Sequence, residues 1–306
     1  MLHYIARRLL WMIPVLIFIS VITFSLAHAV PGGPFDREHR LPPEIITNLN
    51  KHYHLDQPLW KQYVKYMGDI LLHFDFGPVY SSRSRRVNDI FAAHLPVSAE
   101  LGLLAMLIAI GIGVPLGMLS ALKQNTLWDY LGMSVAVFGV SVPEIVLGPL
   151  LIVVFALGLR WLPVAGWGTP AQAIMPALAL GFGSSALIAR LTRASMLQVI
   201  REDYIRTARA KGLRERAVMV NHALKNAFIP VATILGPLFA ALVTGTFVVE
   251  QIFAIPGMGK YFITSITNRD YPVVMGTILL YAVVLVFANL AVDITYAFLD
   301  PRIRYT

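Results

Sequence analysis

Six apolar runs, at residues 9–30, 97–121, 131–158, 173–191, 229–250 and 276–298, each approach or exceed the roughly 20 residues a helix needs to cross a bilayer. Inside lipid the backbone must satisfy its own polar groups, which such runs do as helices. Gly, Ala and Ser recur in them, the residues that let membrane helices approach closely. The chain therefore reads as an all-α integral membrane protein with six crossings. Composition agrees: 57% of the 306 residues are hydrophobic and 14% charged, more apolar than a water-soluble domain needs to fill its core. Ala27-His28-Ala29 has the small-x-small form of a signal-peptide cleavage site, but the apolar run before it is longer than the usual ~7–15 residues, so the first run is read as a retained span.

The pI of about 9.8 comes from cations at the ends of spans, not from a separate basic domain, which argues against nucleic acid as a partner. Fourteen cations (Arg7, Arg8, Lys123, the nine from Arg190 to Lys225, Arg302 and Arg304) fall on one side, and Arg160, Lys260 and Arg269 on the other. This asymmetry places both termini in the cytoplasm; the long 31–95 segment is left out because long loops cross regardless of charge. That segment is polar and broken by Pro31-Gly32-Gly33-Pro34, Pro42-Pro43 and Gly77-Pro78, with a helical face of Leu59, Trp60, Tyr63, Met67, Ile70 and Leu71 beginning at Pro58. It reads as a small cap outside the membrane. With no cysteine in the chain, no disulfide or Cys-type metal site is available to it.

One stretch between two spans is strongly charged. From Asp203 to Pro230, Arg206, Arg209, Lys211, Arg214, Arg216 and Lys225 surround an apolar face expected at Leu213, Ala217, Val220, Leu224 and Phe228. Gly212, able to take positive φ at little cost, marks the break in a helix pair. Such a pair hanging in the cytoplasm suits docking by a soluble partner.

Here the chain resembles the permease subunits of ABC importers, whose cytoplasmic coupling loop carries Glu-Ala-Ala, a Gly about six residues after the Glu, and a later Ile-x-Leu-Pro. This sequence has Arg206-Thr207-Ala208, Gly212 in register and His222-Ala223-Leu224-Lys225. It departs at the Glu and at the terminal Pro, as the peptide branch does, so Ala208, Gly212 and Leu224 carry over. Glu250-Gln251-Ile252-Phe253-Ala254-Ile255-Pro256-Gly257-Met258-Gly259 through Asn268-Arg269-Asp270-Tyr271-Pro272 resembles the loop before the last span in the peptide and nickel branch. Leu122-Lys123-Gln124-Asn125-Thr126, Trp161-Leu162-Pro163 and Asp300-Pro301-Arg302 extend the likeness nearly end to end, and Leu41-Pro42-Pro43-Glu44 and Phe76-Gly77-Pro78 match the cap of oligopeptide permeases. The resemblance implies a type I permease core over 94–299 with its coupling loop at 192–228, an extra N-terminal helix at 1–30, a periplasmic cap at 31–93 and a cytoplasmic tail at 300–306, in a bacterial inner membrane. It further implies a heterodimer with a sister permease, two cytoplasmic ATPase subunits that bind the ATP and Mg, and an outer peptide-binding protein. Ala208, Gly212, Leu213, Ala217 and Leu224 are the residues expected to carry coupling.

The motifs that would give this chain chemistry of its own are incomplete. Pro256-Gly257-Met258-Gly259-Lys260-Tyr261 has the Gly-Lys pair of a phosphate loop, yet Tyr261 stands where Ser or Thr would bind magnesium and Ala254 where the first Gly belongs. No ATP site or other cofactor is expected. His52-Tyr53-His54 has metal-ligand residue types at an uninformative spacing. Gly183-Ser184-Ser185 has no histidine at matching depth to activate a serine, which argues against an intramembrane enzyme. A proton-coupled carrier would want paired intramembrane carboxylates, and Glu144 and Asp293 form no relay. Glu144, Ser184, Ser185, Thr244 and Thr246 are instead read as lining a translocation path. The expected cargo is an oligopeptide, with dipeptides, nickel or glutathione as alternatives for the same machine.

Overall fold

The computed structural model describes residues 2–35, 42–82, 84–244 and 247–299. Among them the regular structure is helical, and one isolated antiparallel bridge joins Pro78 to Arg86. The order is α1 (Leu2–Ala29), α2 (Pro43–His52), α3 (Leu59–His73), α4 (Val87–Leu122), α5 (Leu127–Ser141), α6 (Glu144–Leu151), a π-helical stretch (Ile152–Gly158), α7 (Pro170–Val199), α8 (Asp203–Ala210), α9 (Glu215–Ala217), a second π-helical stretch (Val218–Leu224), α10 (Lys225–Ala227), α11 (Ile229–Thr244), α12 (Phe247–Ile252), α13 (Gly259–Asn268) and α14 (Tyr271–Leu299). Among the described residues five helices are long and apolar enough to cross a bilayer, and the pair Leu127–Ser141 and Glu144–Gly158, bent by 104° at Val142-Pro143, makes a sixth when counted as one broken span. Helices outrun the apolar runs: α4 begins at Val87 and α7 ends at Val199. Hydropathy marks where lipid ends, whereas a helix continues until its hydrogen-bond ladder is capped. At the start of α7 the cap is local, with Pro170 in the first turn and the Thr169 N–H donating to Gln172 Oε1 at 3.1 Å.

Two compact units emerge, one of residues 1–5, 97–256 and 285–306, the other of 6–96 and 257–284. This cuts across the division expected from sequence. Most of α1 packs with the cap instead of standing apart, and α13 with the first part of α14 leaves the expected core to join it.

In the first unit, Leu101, Ala105, Met175, Leu180, Val249 and Phe253 form a core from α4, α7, α12 and the turn that follows α12. Two glycines on α4 sit directly against the α7 backbone. A methyl group on Gly113 would lie 2.6 Å from the Ser185 carbonyl oxygen, and one on Gly117 would lie 2.7 Å from Thr192 Cβ. Gly181 on α7 returns the contact, 2.6 Å from the Ala105 carbonyl oxygen on the same measure. Ser98 on α4 donates to Glu250 of α12 at 2.6 Å, both buried, so this intramembrane carboxylate has a hydrogen-bonded place.

In the second unit, Val79, Val87, Ile90, Phe91, Met258 and Val273 form a separate core. Long-range polar bonds surround it. Ser20 and Tyr63 hydroxyls meet at 2.7 Å, Tyr66 donates to the Pro272 carbonyl at 3.3 Å, and buried Asp270 accepts from the Ser81 N–H and hydroxyl at 3.1 and 3.2 Å. Burial pushes the Asp270 carboxyl above its ordinary range despite these donors, and pushes the Tyr66 and Tyr80 phenols up as well. The face expected on α3 is only partly the packed one. Tyr63, Tyr66, Met67 and Ile70 are half-buried, while Leu59, Trp60 and Leu71 point outward, because the apolar face of this helix is wider than the stripe its neighbours cover.

Candidate functional site

The 203–228 stretch folds as a hairpin whose turn follows from Gly212. Its φ is +74°, the left-handed value that closes a helix at little cost only for glycine. The Gly212 N–H donates to the Arg209 carbonyl at 2.9 Å and the Leu213 N–H to the Ala208 carbonyl at 3.4 Å, the two bonds of a Schellman closure. A methyl group on Gly212 would meet nothing within 4 Å, so the requirement is conformational and not steric. Arg209 then grips Glu215 across the turn at 2.9 and 3.2 Å, holding the Glu215 carboxyl below its ordinary range. Asn226 donates to the Tyr204 hydroxyl at 2.7 Å and closes the other end.

The hairpin's underside is apolar. Ile205 and Ala208 of α8 pack with Met196 of α7, Ala121 of α4 and Val218, Met219, Ala223 and Ala227. This corrects the face expected from sequence. Leu213 and Val220 are each 42% exposed, and Ala217 and Leu224 are half-buried. For Val220 the reason is the π-helical stretch Val218–Leu224, whose i→i+5 bonds add residues to each turn and rotate the face away from a 3.6-residue period, while Leu213 is held outward in the turn that Gly212 closes. Of the residues expected to carry coupling, Ala208 therefore faces the bundle and Leu224 packs against its edge, while Gly212 and Leu213 stand at the outer turn. The outer surface combines exposed Leu213 and Val220 with Arg206, Lys211, Arg214 and Arg216, a shape-defined platform with both apolar and basic contacts to offer.

Below the hairpin lies an ion pair that sequence reasoning missed. Arg193 of α7 holds Asp129 of α5 with two parallel bonds of 2.7 Å, Nε to Oδ1 and Nη2 to Oδ2. The Asn125 N–H adds a third at 3.0 Å, so one buried carboxylate fastens the α4–α5 turn to the stem from which the hairpin grows. Thr126-x-x-Asp129, a helix-start pattern, was the available signal for the carboxylate; nothing in the sequence named its partner. Gly132 lies close enough to α4 that a methyl group there would sit 2.5 Å from Ser120 Oγ, so α4 and α5 also touch directly at this level.

The residues read as pathway-lining are not gathered in one place by a shared contact. Glu144 opens α6 beyond the Pro143 break, half-buried, with no cation pairing it among the described residues. Ser184 is half-buried and Ser185 buried. Their hydroxyls bond back to the Leu180 and Phe182 carbonyls at 3.4 and 2.6 Å, and the Ser185 backbone packs on Gly113, which makes Ser185 a packing residue within this chain. Thr244 ends α11, its hydroxyl 3.4 Å from the Ala241 carbonyl, and Thr246 lies outside the described residues.

Residues 113–305 match the family described as the binding-protein-dependent transport system inner membrane component, and residues 1–101 match its N-terminal companion. The dipeptide transport system permease protein DppB of Bacillus subtilis is 47% identical over 304 residues, covering 99% of this chain and 98% of its own. The oligopeptide transport system permease protein OppB of Salmonella typhimurium is 45% identical over 307 residues, covering all of both chains. Among solved structures, an inward-facing methionine ABC transporter MetNI covers 70% of this chain and 97% of its own at a TM-score of 0.55 and 17% identity, a likeness of fold. With two family matches across nearly all its length and full-length relatives at this identity, the chain belongs to the inner membrane components of binding-protein-dependent ABC transport systems.

Proposed function

We propose that this chain is one of two different permease subunits that together form the path for peptides entering the cytoplasm, driven by two ATPase subunits docked on the 203–228 hairpin. The observation that carries the proposal is the hairpin itself. Its Schellman turn and Arg209–Glu215 bond fix the shape of a platform whose Leu213 and Val220 are left outward, and its underside joins three helices in one cluster. A partner that changes its grip there moves α7 and α4 with it, which is how a binding difference between two partner states becomes helix motion. ATP and Mg belong to the ATPases in this reading, both termini lie in the cytoplasm as the cation asymmetry argues, and a binding protein delivers cargo on the cap side. Peptide cargo is supported by the names of the full-length relatives, a dipeptide and an oligopeptide permease. Nickel and glutathione are the competing cargoes, and a proton-driven carrier the competing mechanism.

Reconstitution into liposomes with the sister permease, both ATPases and the binding protein tests it. Uptake of a labelled peptide is expected to require ATP and every partner, and the chain alone is expected to be inert. Uptake driven by a proton gradient without ATP overturns the mechanism; ATP-driven uptake of a metal complex and not of peptide overturns the cargo.

A further inference from the structure

The second unit carries an apolar surface that its own packing leaves uncovered. On α3 and at its C-terminal cap, Trp60, Val64, Leu71, Leu72 and Phe74 are each 60–78% exposed, and Lys61 and Lys65 flank them. A helix with apolar residues on both its packed and its outer sides, an exposed Trp in its first turn and lysines along the border has the make-up of one lying in a membrane surface. Beside it, a crevice of about 410 Å³ opens between α3 and α1, walled by Leu59, Trp60 and Tyr63 on one side and by Val21, Phe24 and His28 on the other.

The position of that crevice along α1 decides what fills it. The span Ile5–Ala29 has only 17% of its apolar window buried within this chain, so much of the surface of α1 is left open by its own packing, and exposed Val21 and Ser25 make the crevice continuous with that open face. Its α1 wall runs from Val21 to Ala29, about 12 Å at a helical rise of 1.5 Å per residue. An interfacial layer is about 6 Å thick on one side of the hydrocarbon, so such a wall passes from headgroup level into the acyl region. The Lys61 ammonium stands 5.5 Å from the Trp60 ring centroid, placing a cation beside a wall residue of the crevice.

We propose that α3 is an interfacial helix lying in the leaflet on the cap side, and that the crevice between α1 and α3 holds the acyl chain of an anionic phospholipid whose headgroup meets Lys61 and Lys65. The absence of cysteine allows a direct test. In the assembled complex in nanodiscs, nitroxides on Val64→Cys and Leu71→Cys are expected to collide with oxygen and not with a water-soluble nickel chelate, whereas Lys51→Cys on α2 collides with the chelate. Water-like collisions at positions 64 and 71 overturn the interfacial placement. Shielding that appears only when the binding protein is added overturns it too, by making the face a protein contact. For the crevice, native mass spectrometry of complex taken from mixed phosphatidylglycerol and phosphatidylcholine vesicles is expected to show retained phosphatidylglycerol. Lys61→Gln and Lys65→Gln each reduce that preference about fivefold, and Val21→Trp, which fills the crevice from the lipid side, removes one bound lipid while the chain still inserts. An unchanged lipid ratio in the lysine variants overturns the anionic headgroup, and unchanged lipid retention in Val21→Trp overturns the crevice.

Discussion

The 203–228 hairpin and the cap are both polar segments outside the spans, yet they hold their shapes by opposite means. The hairpin relies on local, exposed bonds: Arg209 to Glu215, six residues apart, and one left-handed glycine. In the cap, Ser81 reaches Asp270 and Tyr66 reaches Pro272, bonds between residues distant in sequence whose acceptors are buried. Local bonds make a unit that keeps its form while its foundation moves, as a docking element must. Long-range bonds to partly buried groups tie the cap to the start of α14, so its shape depends on many segments being in place together. What anchors the hairpin is beneath it, in the Asp129–Arg193 pair, whose carboxylate is buried and whose guanidinium is half-buried.

Breaking that anchor should have the largest effect. Arg193→Met leaves the Asp129 carboxylate buried without its cation and is expected to destabilise the first unit by about 3 kcal/mol, measured as a lowered Tm in detergent. A double change to Asp129→Asn and Arg193→Met should recover much of the loss, and equal Tm values for wild type and the Arg193 variant would remove the anchor from the comparison. Next is Gly212→Val, which forces a β-branched residue into the left-handed region at a cost of roughly 1–2 kcal/mol. The subunit should insert with its Tm lowered by only a few degrees, while ATP-driven uptake falls at least tenfold. Gly212→Asn, which tolerates this φ, should retain most uptake, and equal loss in both variants would deny the turn its role.

In the cap the sign of a pH effect separates the two designs. Asp270 is raised in the folded state, so the cap is most stable below the ordinary Asp value of about 3.9 and loses stability as pH rises through the higher folded value. Asp270→Asn should flatten that slope, read by hydrogen exchange of residues 80–82. Glu215 has the opposite sign: lowered by Arg209, it contributes stability above the ordinary Glu value and loses it as pH falls through the folded one. Both partners are exposed, so Glu215→Gln should change stability by only about 0.5 kcal/mol. A large effect would mean that the hairpin is not the locally held element described.

Much of this was legible in the sequence. Apolar run length found the six spans, and a lone glycine amid charged residues found the turn, because both are local properties of the chain. What stayed hidden depends on partners in space. Nothing in 218–224 announces a π-helical stretch, and its altered period is why Val218 and Met219 are buried where Val220 was expected. Arg193 looked like one more basic residue among nine, since charge asymmetry counts cations without asking which carboxylate faces them. Ser185 looked pathway-lining because hydroxyls are polar, whereas its own helix satisfies it. On α3 the expected face took in Leu59, Trp60 and Leu71, which the structure leaves outward, because apolar periodicity does not show how much of a face its neighbours cover.

The glycine contacts between α4 and α7 have a mechanical consequence. Where Gly113 and Gly117 meet α7, they face its backbone and only the short β-branches of Ile188 and Thr192, so few side-chain torsions can rearrange when one helix is pushed. The pair behaves as a single stiff beam. A push delivered at the hairpin end is taken up where a helix is jointed, and one such joint among the described residues is the 104° break at Val142-Pro143, with Glu144 as the first residue beyond it.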